Sequence, residues 1–71
     1  MDKVRRLAAH DIIFPDGTQK VLGVVEIAGG KVNRVYPLEG EQARTEWVAG
    51  TIELRAAPDG SLTAYKNNQK L

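Results

Sequence analysis

The sequence predicts an all-β fold, a small antiparallel meander of about five strands curled into a barrel or sandwich. Short runs rich in valine, isoleucine, threonine and aromatic residues alternate with turn signals, as in strands joined by hairpins. Pro15-Asp16-Gly17-Thr18 and Pro58-Asp59-Gly60-Ser61 are nearly identical turn sequences, and Gly29-Gly30 is typical of a two-residue hairpin. The 71 residues suffice for a single domain, which we place at 1–71 with a polar tail from about residue 67.

The predicted strands follow the turn signals in chain order. The start of the chain has an alternative as a helix capped by Asp2, but its apolar stripe fails at His10-Asp11. The polar stretch at residues 37–44 is expected to form a loop or one helical turn. The strands are therefore expected at about residues 5–14, 19–28, 31–36, 46–56 and 62–66.

Hairpin geometry also predicts the register. A turn in which Phe14 faces Thr18 fixes the pairing of the first two strands. The resulting partners are Arg6 and Glu26, Leu7 and Val25, and Ala8 and Val24. The Gly29-Gly30 turn likewise sets the partners Ile27 and Val32, and Val24 and Val35. The second strand is then central and apolar on both faces, which favours a closed or two-layered sheet.

The apolar pattern also predicts a core. Trp47, Val24, Ile27 and Ile52 are expected to be buried. Gly23 and Gly50 lie inside predicted strands and are expected to mark bends or bulges, where a small sheet can curl.

Composition argues against several function classes. The chain has no cysteine, which removes disulfides, thiolate zinc sites and thiol catalysis. No apolar run approaches the ~20 residues of a membrane-spanning helix, so we expect no membrane association and a cytoplasmic location. The net charge is +1 with both signs interleaved, which argues against nucleic acid as a partner.

No set of residues for catalysis, metal binding or a cofactor is expected. His10 is the single histidine, and a lone histidine on a strand is usually structural. Its neighbour Asp11 projects to the opposite face of a regular strand, so the two would not form a dyad. The aromatic residues are spread over four predicted strands. Arg34, Tyr36 and Arg55 remain as candidate contacts for a small ligand.

Two stretches resemble the N-terminal β-domain of amidohydrolase-superfamily enzymes. The first stretch is Ile12-Ile13-Phe14-Pro15-Asp16-Gly17-Thr18 together with residues 23–35. It is similar to the start of that domain, which consists of a strand, a short turn, a strand, then "gly-lys-ile" and a third strand. The second is Ala49-Gly50-Thr51-Ile52-Glu53-Leu54-Arg55-Ala56-Ala57, which is similar to the motif Pro-Gly-x-Ile-Asp-x-His-x-His. The resemblance covers about two thirds of the chain and implies a small β-domain.

Departures from that motif argue against the activity of the family. Arg55 and Ala57 stand at its two metal-binding histidine positions, and Ala49 replaces the proline. A catalytic TIM barrel needs ~250 residues, which this chain does not provide. The resemblance therefore implies the β-domain without the catalytic barrel, and we expect that the chain is not an enzyme.

A second resemblance is to small uncharacterised bacterial β-domain proteins. It rests on Arg6-Leu7-Ala8-Ala9-His10, Gly23-Val24-Val25-Glu26-Ile27, Tyr36-Pro37-Leu38 and Thr45-Glu46-Trp47. It implies a small β-domain and no particular activity.

These patterns give three functional hypotheses. The first is a non-enzymatic interaction module that associates with itself, as a dimer, or with another protein through a sheet edge. The second is an accessory or relic β-domain of an amidohydrolase-like enzyme. The third is a small-ligand or nucleic-acid binder. In an open meander the last strand is the less protected edge, so the expected interaction residues are Leu62, Ala64 and Tyr65.

Overall fold

The structure is a computed structural model that describes residues 4–40 and 45–71, and every regular element in these residues is a β-strand. The all-β prediction is confirmed, and each predicted strand agrees with an observed one to within one residue at either end. The strands are β1 (Val4–Ile13), β2 (Gln19–Ala28), β3 (Lys31–Pro37), β4 (Thr45–Ala56), β5 (Leu62–Lys66) and β6 (Gln69–Lys70).

The sheet is mixed. β1, β2 and β3 form an antiparallel meander as predicted, but β4 does not continue it beside β3. Instead β4 pairs with β1 in parallel, which gives the strand order β3-β2-β1-β4-β5-β6. The segment that joins β3 to β4 was expected to be a loop or a helical turn. Residues 38–40 are in neither a helix nor a strand, and residues 41–44 lie outside the described part of the chain.

The sheet curls until its hydrogen bonding closes into a ring. Val32 of β3 pairs with Leu62 of β5, so β1, β2, β3, β5 and β4 follow one another around a closed path. β5 has β4 on one side, and β3 and β6 on the other. β5 is therefore not an open edge, contrary to the prediction, because closure of the ring supplies the partner that an open meander would lack.

The predicted polar tail is a hairpin. Asn67 and Asn68 have φ angles of 50° and 64°, which suit a two-residue hairpin turn. The chain then returns along β5 as β6, and the Leu71 amide donates to the Ala64 carbonyl at 2.8 Å. Asparagine tolerates this left-handed conformation better than other non-glycine residues, so Asn67-Asn68 was a turn signal that the sequence reasoning missed.

The register of the first hairpin is as predicted, and that of the second differs by one residue. Arg6, Leu7 and Ala8 pair with Glu26, Val25 and Val24. Ile27 pairs with Val32 as predicted, but Val24 pairs with Tyr36 rather than with Val35. The shift lies between Glu26 and Ile27, where Asn33 is an extra residue on β3. The Asn33 side chain donates to the Glu26 carboxylate at 2.7 Å, which ties this bulge to β2.

The interior of the ring is the hydrophobic core. It contains Leu7, Ala9, Ile12, Val25, Ile27, Ile52, Leu54 and Ala64. Ile27 and Ile52 are buried as predicted; Val24 is also buried, outside this cluster. Trp47 is 53% exposed, so its predicted burial is wrong. Val48 packs against the core, and alternation along β4 therefore turns Trp47 to the outer surface.

The predicted bulge at Gly50 is confirmed. The register of β1 and β4 shifts between Ala9 and Asp11, where β4 advances from Val48 to Thr51. Gly50 has a φ of 96°, a conformation that a side chain would oppose. Gly23 is different, because no side chain could replace its hydrogen without meeting Ile12 in the core.

Candidate functional site

The predicted ligand contacts fall into two separate clusters. Arg34 and Tyr36 lie together on β3, with the guanidinium carbon 5.2 Å from the ring centre. Arg55 lies on β4 and stacks on Tyr65, with the guanidinium carbon 4.2 Å from that ring centre. The structure therefore joins Arg34 to Tyr36 and assigns Arg55 to a different part of the surface.

The Arg34 cluster surrounds a buried carboxylate. Glu26 is 4% exposed and contacts Arg34 Nε at 3.2 Å and Arg6 Nε at 3.4 Å. The hydrogen bonds from Arg34 and then from Asn33 hold the pKa of Glu26 below its ordinary value, although burial opposes them. The two guanidiniums and the amide thus satisfy the charge that folding buries, which makes the cluster a structural tie between β1, β2 and β3.

Two matching turns lie at one end of the sheet, because they follow the parallel strands β1 and β4. In the first turn (residues 14–18) the Asp16 carboxylate accepts from the Thr18 amide at 2.9 Å and its hydroxyl at 2.6 Å. In the second turn (residues 57–61) Asp59 accepts from the Ser61 amide and hydroxyl at the same two distances. Asp59 also accepts from Lys31 at 2.9 Å, which ties the second turn to β3.

The lowered pKa values of these carboxylates predict that the chain loses stability in acid. The Thr18 hydroxyl lowers the pKa of Asp16, and the Ser61 hydroxyl, then its amide and Lys31, lower that of Asp59. A carboxylate whose pKa is lowered in the folded chain stabilises the fold fully when the pH is above its ordinary pKa. That ordinary pKa is 3.8 for aspartate and 4.5 for glutamate. Its contribution is lost as the pH falls through the folded-state pKa. We therefore expect the urea midpoint to fall steadily as the pH is lowered from 5 to about 2.

The variant Asp59→Asn tests this assignment. Asparagine can still accept from the Ser61 amide, but it does not titrate. The acid-induced fall of its urea midpoint should be smaller than in the wild type, while Glu39→Gln, at an exposed loop position, should leave that fall unchanged. An identical pH dependence for the wild type and Asp59→Asn would contradict the role given to Asp59.

A cleft opens between the first turn and the end of β4. β1 and β4 pair as far as Ile13 and Glu53, and the chain then bends into the first turn while β4 continues to Ala56. The cleft between them has a volume of about 410 Å³. It is lined by Ile13, Phe14, Pro15 and Gly17 on one side and by Glu53, Leu54, Arg55 and Ala56 on the other.

Pro15 explains why the pairing of β1 with β4 stops at this point. A proline has no N–H, so residue 15 cannot donate to β4. The preceding amide, that of Phe14, donates to the Thr18 carbonyl at 2.8 Å and is committed to the turn. The next hydrogen bond between β1 and β4 is therefore missing, and the end of β4 has no neighbouring strand on this side.

Backbone groups of β4 face this cleft. The Ala57 amide donates to the Ser61 carbonyl, which sets the phase of hydrogen bonding between β4 and β5. Alternation then directs the Arg55 peptide groups to β5 and those of Leu54 and Ala56 to the opposite side. Within residues 4–40 and 45–71, the amide of the exposed residue Ala56 consequently has no strand partner. Leu54 is 1% exposed, so its carbonyl is not open to the cleft.

Arg55 is fixed at the rim of the cleft. Its Nε donates to Glu53 at 2.6 Å, its terminal amino group donates to the Asn68 side chain at 2.6 Å, and its plane lies over Tyr65. These contacts leave further guanidinium donors of Arg55 free to bind a ligand, since arginine has five N–H groups. The cleft thus combines apolar walls, an open backbone amide and, at its rim, an arginine that is ion-paired with Glu53.

Comparisons with protein-family models, with curated proteins and with solved structures found no match to this chain. The resemblance to amidohydrolase β-domains and to small bacterial proteins therefore stays a prediction.

Trp47 is exposed on the outer surface beside His10. The His10 ring meets the Trp47 ring edge-on at 5.1 Å between centres. Val21 and Leu22 are also exposed, by 66% and 41%, and Leu22 has a φ of 54°, which is uncommon for leucine. Sequence reasoning missed the exposure of Trp47 because it assigned the largest apolar residue to the core.

The predicted interaction edge is not available on β5. Leu62 pairs with Val32, Ala64 is 3% exposed, and Tyr65 pairs with Lys70. Association of the chain with itself stays a prediction, but another surface would have to carry it.

Among the described residues, no helix is long and apolar enough to cross a membrane. In the same part of the chain, no group of three or more histidine, aspartate or glutamate side chains could hold a metal ion.

Proposed function

We propose that this chain is a non-enzymatic interaction module that binds an extended segment of another protein at the end of β4, along residues 54–56. The observation that carries the proposal is that β4 runs past its last pair with β1, so that the amide of the exposed residue Ala56 faces the cleft. Addition of a strand to an exposed sheet edge is a recurrent mode of peptide recognition. A partner segment would accept a hydrogen bond from this amide.

The size and walls of the cleft support this use. Ligand sites commonly have volumes of about 300–1,000 Å³, and this cleft has about 410 Å³. Ile13 and Phe14, which are half-buried, offer apolar contacts for a partner side chain. Main-chain hydrogen bonds would provide affinity, and the apolar wall would provide selection among side chains.

Strand addition is less favoured at β6. That strand has two residues and carries Lys70, and short charged edges discourage pairing with another chain. β5 is paired on both sides. The end of β4 has no paired strand on the β1 side, and it also borders the cleft.

The variant Ala56→Pro tests the proposal. Proline removes the amide donor that faces the cleft and leaves the bonds between β4 and β5 intact. The probe is a pool of random heptapeptides with blocked ends, and binding is followed by the amide chemical shifts of the ¹⁵N-labelled chain. We expect selected peptides to shift residues 13–17 and 54–56, and to bind Ala56→Pro about two- to tenfold more weakly.

The matched control is Ala56→Gly, which keeps the amide and should bind as the wild type does. Thermal melts of both variants establish that they are folded. Peptides whose shifts map away from the cleft, or that bind Ala56→Pro with unchanged affinity, would contradict the proposal.

A further inference from the structure

We infer that Arg6 and Arg34 form a binding site for a phosphate group on the outer face of the sheet. Both arginines lie away from the residues that line the cleft, so this site is separate from the proposed function. The charge, the spacing and the exposure of the two guanidiniums around Glu26 support it.

Three paired residues place the two arginines on the same face. Arg6 on β1 and Arg34 on β3 are the register partners of Glu26, which lies on β2 between them. Residues that lie directly opposite each other on neighbouring strands share one face of a sheet. Leu7 and Val25, which follow Arg6 and precede Glu26 in the chain, lie in the core. Alternation therefore puts the charged row on the outer surface.

The two guanidiniums converge on a single oxygen atom. Arg6 Nε and Arg34 Nη2 each lie 3.4 Å from Glu26 Oε1. The two nitrogens are therefore no more than twice that distance apart. An anion whose oxygens surround one central atom can bridge donors at this separation, because each charged N–H···O contact itself spans about 2.8 Å.

The carboxylate of Glu26 is satisfied without Arg6. It accepts hydrogen bonds from Asn33 at 2.7 Å and from Arg34 Nε at 3.2 Å. The bonds from Arg34 and Asn33 lower the pKa of Glu26 most, and the charge of Arg6 lowers it least. Within residues 4–40 and 45–71, the terminal amino groups of Arg6 have no hydrogen-bond partner. One carboxylate thus faces two guanidiniums, and the cluster keeps a positive charge in excess.

A ligand can reach the guanidiniums but not the carboxylate between them. The side chain of Arg34 is 63% exposed and that of Arg6 is 34% exposed, whereas that of Glu26 is 6% exposed. The Tyr36 ring centre lies 5.2 Å from the guanidinium carbon of Arg34, which helps to hold that group in place. An incoming anion therefore meets two positive groups that the fold already positions.

A phosphate group fits this chemistry better than a carboxylate does. Arginine presents its N–H groups in a rigid fork that matches phosphate oxygens. A carboxylate has two oxygens in one plane, and a single guanidinium can occupy both of them. A phosphate ester has three acceptor oxygens around one atom, so it can bind both arginines at once.

The test titrates inorganic phosphate, phenyl phosphate and acetate into the ¹⁵N-labelled full chain at constant ionic strength. We expect both phosphates to shift the Nε resonances of Arg6 and Arg34 until the site is saturated, and to bind about five- to tenfold more tightly than acetate. Shifts that never saturate, or that acetate reproduces at the same concentrations, would overturn the inference, because electrostatic screening would then explain them.

Phenyl phosphate separates a phosphate ester from free phosphate. Tighter binding of phenyl phosphate, with a shift of the Tyr36 amide, would support the site and identify an ester as its ligand. Equal or weaker binding than inorganic phosphate would also support the site and identify free phosphate as its ligand.

Arg6→Gln should weaken the binding of inorganic phosphate about five- to tenfold, because it removes one of the two guanidiniums. Glu26 keeps Arg34 and Asn33 in this variant, so we expect it to fold, which a thermal melt checks. If it does not fold, Arg6→Lys replaces it. That variant keeps the charge but loses the fork of N–H groups, and unchanged affinity would contradict the inference.

Arg5→Gln is the matched control. It removes the same charge from the preceding residue of β1, but Arg5 is bound to Glu46 at 3.2 Å and to the Leu71 carbonyl at 3.0 Å. We expect this variant to change the affinity for phosphate by about twofold or less, since salt screens charges outside the site. Equal losses of affinity in Arg5→Gln and Arg6→Gln would overturn the inference, because net charge alone would then explain the binding.

Discussion

Replacement of Ile52 by alanine should lower the free energy of unfolding by about 2–5 kcal/mol. Ile52 is 0% exposed and lies inside the ring, opposite Ile12 of β1. Its truncation removes buried apolar surface and leaves a cavity that a closed sheet of this size can fill only in part. Because native proteins have total stabilities of only about 5–15 kcal/mol, the loss should be plain in a urea titration.

Val21→Ala is the matched control. Val21 is also an aliphatic residue on a strand, but it is 66% exposed, and we expect its truncation to change stability by about 0.5 kcal/mol or less. Similar urea midpoints for Ile52→Ala and Val21→Ala would show that Ile52 does not lie in the core described above.

Gly23→Ala should cost about 1–3 kcal/mol, although alanine is small and favours strands more than glycine does. A Cβ atom on residue 23 would lie 2.6 Å from Ile12 Cδ1. Ile12 is 0% exposed, so its methyl group cannot move aside without disturbing the core. The cost is steric, since Gly23 is not among the residues with a positive φ.

A double-mutant cycle with Ile12→Val isolates this clash. Valine lacks the Cδ1 atom and should cost about 0.5–1.5 kcal/mol by itself. If the clash is the cause, the double variant should be more stable than the sum of the two single changes implies. Strict additivity in urea unfolding would contradict the close approach of Gly23 to Ile12.

The local part of the fold could be predicted from the sequence. Strand ends and the register of the first hairpin follow from turn chemistry and from the alternation of side chains, which act over a few residues. The register of β2 and β3 changed because Asn33 forms a bulge to reach Glu26, and no local pattern marks such an insertion. The burial of Trp47 was predicted wrongly from its large apolar side chain. Val48 faces the core, and the alternation of side chains along β4 turns Trp47 outward.

The closure of the sheet could not be predicted in the same way. β1 and β4 are far apart in the chain, and their parallel pairing depends on the total packing of the ring rather than on any short motif. The candidate site depends on that pairing. Arg55 was a sequence-predicted contact and Pro15 a visible turn residue, but their juxtaposition across a cleft follows only when β4 lies beside the first turn.

Amide hydrogen exchange at Arg55 and Ala56 tests the central claim, that the end of β4 is an open edge which a partner strand fills. In the free chain the Arg55 amide should exchange slowly, because it faces β5, and the Ala56 amide should exchange rapidly, because it faces the cleft. When a heptapeptide selected from the pool is bound, the Ala56 amide should become protected. An Ala56 amide that is already protected in the free chain, or that stays unprotected with peptide bound, would contradict the account.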